Sequence, residues 1–355
     1  MILNISRART FHQCKRRAFN YSHRRLSGTR SMNLVDGGAF HAGVAAGRAT
    51  HDWKIAREVA AVQFAEDVKK SDIPPEQLYL IEQHRELTEA MIRCFEEQYE
   101  HEVYQIVQPE CVFDVVLPQS GHNCIFMHWV DSDDTIHINT PPSAEDILSH
   151  NVHTAHPYGD DPECACWQPH RFVGKTDAVV SWNGNLWLDE YKTTSIEGSQ
   201  FWEQWQMDVQ PTGYIYGIWK SLGIRPRGFL LNSIFKPSEK QVESWNKRRT
   251  VSAPREVKDY IRYSREAFLR TEEDLARFER WMLQTCIEWE REIVNPHTPF
   301  LYNPSSHTCM SYNRKCDYWS SCLSHEEPHE LESLTPRGEY DYVEEKLYHI
   351  EQAKA

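Results

Sequence analysis

Residues 174–193 read GKTDAVVSWNGNLWLDEYKT and contain the clearest local structure in the sequence. Two runs rich in β-branched and aromatic residues flank an Asn-Gly pair at 183–184, which is the strongest short-range signal for a β-hairpin. Side chains two residues apart on a strand share a face, so Glu190 and Lys192 point the same way. The hairpin places Asp177 on the neighbouring strand. The sequence therefore predicts two carboxylates and one ammonium in one small volume.

These three side chains suit the chemistry of a divalent cation. Asp177 and Glu190 offer hard oxygen ligands for Mg²⁺ or Mn²⁺, with water and a substrate phosphate completing the coordination shell. Such a metal would acidify a bound water and polarise a scissile phosphate, while the Lys192 ammonium would orient that water or offset charge in the transition state. Taken alone, the spacing Asp-x12-Glu-x-Lys also fits a surface hairpin with a cross-strand salt bridge.

Predicted helices and strands lie on both sides of the hairpin and indicate an α/β protein. Apolar residues at helical spacing predict helices over residues 43–70, 75–104, 199–222 and, in one or two pieces, 254–294. Alternating apolar and polar residues predict strands over residues 110–117 and 228–236.

Changes in composition and periodicity along the chain divide the 355 residues into five segments. Between residues 118 and 170 the periodic pattern dissolves into Pro, Asp, Asn and His, which predicts an irregular insertion. The predicted segments are an N-terminal helical part (1–117), this insertion (118–170), a core with long helices (171–300), a cysteine-rich patch (301–324) and an acidic tail (325–355).

The net charge of −13 argues against a general nucleic-acid coat, but basic residues are concentrated at the N-terminus. Residues 1–30 contain eight Lys or Arg residues and no acid, so a locally basic surface can still bind an anionic polymer.

An Arg-rich start also suits a mitochondrial transit peptide, although helical spacing of its apolar residues argues against one. No run is long and apolar enough to span a membrane, and we expect a cytoplasmic protein.

Two further motifs flank the hairpin in the order found in one nuclease family. Gly47-Arg48-Ala49-Thr50-His51 fits Gly-x-x-x-His on a predicted helix, and Gln210-Pro211-Thr212-Gly213-Tyr214 fits Gln-x-x-x-Tyr on the helix after the Glu-x-Lys strand. With Asp177, Glu190 and Lys192, these motifs resemble the PD-(D/E)XK nuclease superfamily, in its RecB/AddB-like exonuclease branch, which includes CRISPR-associated and phage nucleases. Thr176 stands where the superfamily name has Pro.

The resemblance, over roughly residues 5–325, implies a restriction-endonuclease-like core whose central mixed sheet is flanked by helices. It implies metal-dependent hydrolysis of DNA from an end, on single strands, in recombination, repair or phage DNA processing in a bacterial or phage-infected cell. A helicase or recombination protein is the implied protein partner. The implied metal ligands are His51, Asp177, Glu190 and the backbone carbonyl of Tyr191, and the implied catalytic residues are Asp177, Glu190, Lys192, Gln210 and Tyr214.

Three cysteines, Cys309, Cys316 and Cys322, fall close together, and Cys14 lies in the basic N-terminal segment. Three such thiols indicate a metal centre lacking one ligand, and Cys14 is the natural fourth. The same nuclease branch holds a [4Fe–4S] cluster with one N-terminal and three C-terminal cysteines, which clamps the two ends of the domain together. Because the spacing Cys-x6-Cys departs from the branch's Cys-x2-Cys, Zn²⁺ on the same thiolates is the alternative.

Two other functions remain open from the sequence. A metal-dependent endonuclease acting on branched or duplex DNA would need the same residues. A non-catalytic DNA-binding or assembly subunit could keep the cysteine site as a staple, but such a copy would usually lose Asp177, Glu190 or Lys192. Backbone contacts to DNA are expected from the basic N-terminal segment and from Lys236, Lys240, Lys247, Arg248 and Arg249.

Overall fold

A computed structural model describes residues 2–23, 26–27, 32–71, 78–99, 105–117, 128–130, 136–138, 170–248, 255–289, 292, 306–310, 315–324 and 335–336. The α-helices are α1 (Ile5–Gln13), α2 (Lys15–Ala18), α3 (Met32–Thr50), α4 (Trp53–Lys70), α5 (Leu80–Tyr99), α6 (Ser199–Gln206), α7 (Val209–Leu222), α8 (Glu239–Arg248), α9 (Glu272–Trp289), α10 (Ser306–Cys309) and α11 (Trp319–Ser324). A π-helix covers Phe19–His23 and a 3₁₀-helix covers Val257–Tyr260.

The strands are β1 (Ile2–Leu3), β2 (Leu26–Ser27), β3 (Gln105–Pro109), β4 (Val112–Val116), β5 (His128–Val130), β6 (Ile136–Ile138), β7 (Arg171–Lys175), β8 (Ala178–Trp182), β9 (Asn185–Thr194), β10 (Gly228–Phe235), β11 (Arg262–Leu269) and β12 (Thr335–Pro336).

The main sheet has five strands in the order β11-β10-β9-β8-β3. Strands β9 and β10 run parallel and the other neighbours run antiparallel, so the sheet is mixed and the predicted α/β class is confirmed. The hairpin between β8 and β9 is also confirmed. Asn183 and Gly184 have φ angles of 50° and 72°, the left-handed backbone that a two-residue type I′ turn requires.

Helices cover both faces of this sheet. On one face Leu188 belongs to a buried cluster with Ile215 of α7 and Phe278 of α9. On the other face Tyr191 is buried with Phe40 of α3 and Phe95 of α5. Because side chains alternate along a strand, Glu190 and Lys192 lie on the α7 face, and Tyr191 lies on the α3 face.

A three-stranded sheet with the order β1-β7-β4 joins the N-terminus to this core. Strand β1 pairs in parallel with β7, so α1 begins beside the core. Helix α7 crosses the small sheet closely: a Cβ atom on Gly217 would lie 2.4 Å from the ring of Phe113. Only glycine permits that approach.

Two predicted helices differ from the structure because local capping breaks them. The segment 43–70 is not one helix. Helix α3 ends at Thr50, His51 has a φ of 55°, and the Asp52 carboxylate accepts a 2.8 Å hydrogen bond from the backbone N–H of Lys54 to start α4. The segment 199–222 is likewise divided into α6 and α7. Pro211 lies in the first turn of α7, where no intrahelical N–H donor is needed.

The prediction of one or two long helices over 254–294 is wrong for its first half. Residues 262–269 form β11, an edge strand that pairs antiparallel with β10. Most of its side chains are exposed or half-buried, so the sequence RYSREAFL lacks the apolar alternation that would reveal a strand.

Most of the predicted insertion (118–170) and acidic tail (325–355) lies outside the described residues. In the insertion β5 pairs antiparallel with β6, and in the tail β12 pairs antiparallel with β2 of the N-terminal part. In the part of the chain that the structure describes, no helix is both long and apolar enough to cross a bilayer.

Candidate active site

The hairpin register brings Asp177, Glu190 and Lys192 together as predicted. Ala178 pairs with Asp189, which places Asp177, the residue before β8, next to Glu190 of β9. The backbone N–H of Tyr191 donates a 3.0 Å hydrogen bond to Asp177 Oδ2. Lys192 forms an ion pair with Glu190 on the same face of β9. The cluster therefore depends on the Asn-Gly turn, because a slip of one residue would send Glu190 and Lys192 to the opposite face.

Helix α7 completes the surroundings of Glu190. The Gln210 side-chain amide donates to Glu190 Oε1 at 3.2 Å and to the Tyr214 hydroxyl at 3.1 Å. Gln210 and Tyr214 are one helical turn apart and share a face, as their motif spacing predicted. Asp208 caps the helix by accepting a 2.7 Å hydrogen bond from the Gln210 N–H. The cap fixes the first turn of α7 and with it the side chain of Gln210.

The histidine that contacts the cluster is His41, whose Nδ1 lies 2.9 Å from Asp177 Oδ1. The prediction of His51 is not supported by the structure. His51 is exposed after the last residue of α3. It lies ten residues beyond His41, or about 15 Å along a helix axis. His41 also stands in a Gly-x-x-x-His motif, Gly37-Gly38-Ala39-Phe40-His41, so the sequence offered two matches to the same pattern.

The four charged groups of the cluster shift one another's pKa values. Burial would raise the pKa of Asp177, but the charges of His41 and Lys192 outweigh it and hold that pKa below its usual value. Burial raises the pKa of Glu190 despite its ion pair with Lys192, and the charge of Asp177 adds to the shift. Burial opposes the charged forms of His41 and Lys192, yet the two carboxylates raise the pKa values of both. Opposed shifts in neighbouring carboxyl groups are typical of catalytic sites.

The donor types at this position fit a divalent cation. Asp177 and Glu190 supply carboxylate oxygens, His41 supplies an imidazole nitrogen, and Glu190 Oε2 is buried with no hydrogen-bond partner among the described residues. Such an oxygen is costly to bury unless another group compensates it. Within the described residues no three His, Cys, Asp or Glu side chains are already arranged to hold a metal ion. Lys192 now contacts Glu190 Oε1 and His41 contacts Asp177 Oδ1, so a bound cation would replace these contacts with bonds to the carboxylates and the imidazole.

A buried polar network, which no sequence motif predicted, supports the opposite face of β9. Arg48 of α3 forms a buried ion pair with Asp189, which also accepts from the Tyr191 hydroxyl. The Asn232 amide donates to Asp189 Oδ1 and, at 3.3 Å, to the backbone carbonyl of Glu190. Arg48 lies two helical turns after His41, so one face of α3 contacts β9 through both side chains.

The four cysteines of the predicted centre lie in an N-terminal and a C-terminal part of the described residues. Cys14 is buried between α1 and α2, and Cys309, Cys316 and Cys322 are half-buried. Burial raises the pKa of Cys316 and of Cys322, and the charge of Cys14 raises both further. The backbone N–H of Cys316 donates a 2.8 Å hydrogen bond to the carbonyl of Cys309. Cys14 therefore lies close enough to Cys316 and Cys322 for their charges to interact, although no three ligand side chains are arranged as a formed metal site among the described residues.

The predicted basic contacts divide into buried and exposed groups. Lys236 is buried and donates to Asp36 at 2.7 Å and to Asn33 at 3.1 Å. The expectation that Lys236 contacts DNA is therefore wrong, because its ammonium is already bound inside the protein. The remaining described members on α8 are exposed: Lys240, Lys247 and Arg248. Arg249 lies outside the described residues.

Comparison with known proteins bears on the chemistry of this cluster. No curated protein matches the sequence significantly. The family model of the PD-(D/E)XK nuclease superfamily matches residues 2–323. The matched range contains the hairpin with Asp177, Glu190 and Lys192, both helices that contact it, and all four cysteines of the predicted centre. With nearly the whole chain matched, and with the acidic hairpin and its lysine assembled in the fold, this protein belongs to the PD-(D/E)XK nuclease superfamily.

Proposed function

We propose that the protein is a metal-dependent exodeoxyribonuclease that hydrolyses phosphodiester bonds from an end of single-stranded DNA, in recombination, repair or phage DNA processing. Membership of a nuclease superfamily supports hydrolysis of nucleic acid. The observation that carries the proposal is the convergence of Asp177, Glu190 and Lys192, with Glu190 Oε2 buried and unpaired among the described residues.

Different residues of the site have different roles in the proposed hydrolysis. Asp177, Glu190, His41 and the carbonyl of Tyr191 would hold Mg²⁺ or Mn²⁺, which when bound polarises the scissile phosphate and acidifies the attacking water. Lys192 supplies a positive charge on the face of β9 where the phosphate must lie, and it stabilises the negative charge that grows during attack. Gln210 fixes the Glu190 carboxylate in one orientation.

The second part of the proposal is a structural [4Fe–4S] cluster on Cys14, Cys309, Cys316 and Cys322, with Zn²⁺ as the alternative. The electrostatic coupling of Cys14 to Cys316 and Cys322 supports a shared site. Hydrolysis needs no electron transfer, so the cluster would act as a staple between chain ends. A cytoplasmic location and a helicase or recombination partner belong to the same proposal.

Digestion of linear and circular single-stranded DNA with Mg²⁺ or Mn²⁺ tests the proposed activity. We expect the wild type to degrade the linear form and spare the circle. Asp177→Ala, Glu190→Ala and Lys192→Ala should each abolish cleavage while the protein remains folded by circular dichroism and still binds DNA. Cleavage of the circle would favour the endonuclease. Wild-type protein that binds DNA without cutting any form would favour the assembly subunit.

A further inference from the structure

Met207 is the most exposed large hydrophobic side chain among the described residues, with 83% of its surface accessible. It forms, with Asp208, the two-residue linker between α6 and α7. Single exposed apolar side chains are common on protein surfaces and need no explanation by themselves. The position of Met207 relative to the active site is what gives it significance.

Residues close to Met207 in the chain contact the catalytic cluster. The ring of Trp205, two residues before Met207, lies 5.6 Å from the Lys192 ammonium. Asp208, the next residue, caps the helix turn that holds Gln210 against Glu190. Consecutive Cα atoms are only about 3.8 Å apart, so the backbone of Met207 lies within two residues of side chains that contact the cluster.

The buried side chain of Arg270 anchors both sides of the linker that carries Met207. Arg270 is buried and donates a 2.8 Å hydrogen bond to the carbonyl of Trp205 and a 2.7 Å hydrogen bond to the Thr212 hydroxyl. Its guanidinium also packs over the ring of Phe229 at 4.8 Å. One buried side chain therefore ties the end of α6 and the start of α7 to the core. The backbone on either side of Met207 is thus ordered in advance, so contact with a ligand does not require the entropy cost of ordering a loop.

A cation stands beside this exposed methionine. The guanidinium of Arg9, on α1, lies 3.2 Å from Asp208 Oδ2, and 43% of the Arg9 side chain is exposed. Proteins bind single-stranded nucleic acid by combining positive charge for the phosphates with side chains that pack on base faces. Arg9 could supply the charge by exchanging its pair with Asp208 for a phosphate, and Met207 could supply the packing surface. A thioether is also well suited to an aromatic ring, because sulfur is polarizable.

We propose that Met207 contacts the face of a base in the strand being cut, adjacent to the phosphate that reaches Glu190 and Lys192, while Arg9 pairs with a neighbouring phosphate. This inference rests on the proposed nuclease function and adds a nucleotide-binding contact to it. The contact reads no sequence, because every base has an aromatic face. It requires an unstacked base, and it therefore selects single strands or frayed ends over intact duplex.

The test measures binding of a fluorescein-labelled single-stranded oligodeoxynucleotide by anisotropy, in buffer without divalent cations so that no cleavage occurs. Met207→Ala should raise the Kd about 2- to 10-fold, the range for a lost sulfur–aromatic contact. Met207→Phe should restore or tighten binding through stacking. Val62→Ala on α4 removes a side chain that is 61% exposed on the far face of the sheet, and it should leave the Kd unchanged.

An abasic nucleotide, moved along the oligonucleotide, separates a base contact from a general surface effect. At one position the abasic site should weaken wild-type binding and have no further effect on Met207→Ala, as in a double-mutant cycle. If wild type binds and cleaves DNA but Met207→Ala and Met207→Glu keep the wild-type Kd and KM, the Met207 contact is refuted and the nuclease function stands. If wild type neither binds nor cleaves DNA, the proposed function fails, and the base contact fails with it.

Discussion

His41 and Asp177 are 136 residues apart in the chain and 2.9 Å apart in the fold. Packing of α3 against β9 sets this distance. The Phe40 and Phe95 rings lie edge-to-face on Tyr191, with centroids 6.5 and 5.5 Å away, and His41 lies 6.0 Å from the same ring. Aromatic contacts of this kind fix the helix against the strand. The acidic hairpin therefore receives its histidine from a separate helical layer.

Replacement of His41 tests this relationship directly. His41→Ala should lower nuclease activity about 10-fold or more, the effect typical of losing a group that supports a metal site. It should also weaken Mn²⁺ binding measured by titration calorimetry. His51→Ala is the matched control, because it removes an exposed histidine from the end of the same helix, and we expect wild-type activity. The reverse result would return the ligand role to His51.

The contrast between these two histidines shows how far sequence reasoning could reach. The hairpin, β10, and the shared faces of Glu190 with Lys192 follow from local rules of turn type and strand alternation. The choice between the motifs Gly37–His41 and Gly47–His51 does not follow from local rules, because both fit Gly-x-x-x-His. The structure distinguishes them, since α3 ends at Thr50 and only His41 lies within the helix. Strand β11 was missed for a related reason. Its state is set by pairing with β10 and not by its own apolar pattern.

Gln210 should act through the orientation of Glu190. Gln210→Ala removes the 3.2 Å hydrogen bond to Glu190 Oε1, and a net hydrogen bond of about 1 kcal/mol corresponds to a roughly 5-fold loss of kcat. Tyr214→Phe keeps that bond and should cost less. Steady-state kinetics on linear single-stranded DNA measures both variants. Equal losses would mean that Tyr214 has its own catalytic contact.

The buried pair of Arg48 and Asp189 should matter mainly to stability. Arg48→Met leaves a buried carboxylate without its cation, which should lower the free energy of unfolding by about 3–5 kcal/mol. Arg48→Met/Asp189→Leu should recover part of this loss. Arg277→Ala is the control, since its pair with Glu273 is exposed and worth less than about 1 kcal/mol. Urea denaturation followed by circular dichroism gives these values, and a small effect of Arg48→Met would refute the pair's role.

Substitutions of Lys236 and Lys247 should have different effects, the first on stability and the second on DNA binding. Lys236→Met leaves buried Asp36 with only part of its hydrogen bonding, and we expect a loss of about 2–3 kcal/mol in stability with the DNA affinity of the folded protein unchanged. Lys247→Ala should leave stability unchanged. If Lys247 contacts a phosphate, it should also reduce the slope of log K against log salt by about 0.7 on single-stranded DNA. A salt slope altered by Lys236→Met instead would restore Lys236 as a DNA contact.

The four cysteines should bind one metal centre whose loss loosens both chain ends. Cys14→Ala, Cys309→Ala, Cys316→Ala and Cys322→Ala should each remove the visible absorption of anaerobically purified protein and lower its melting temperature. The physical reason is the length of the closed loop, for which a cross-link removes on the order of 4–5 kcal/mol of unfolded-chain entropy. Cys94→Ala removes a half-buried thiol of α5 and should keep the metal. Iron and acid-labile sulfide analysis identifies the cluster, and stoichiometric zinc without iron would replace it while preserving the staple. Full metal retention in Cys14→Ala would show that the N-terminus is not part of the centre.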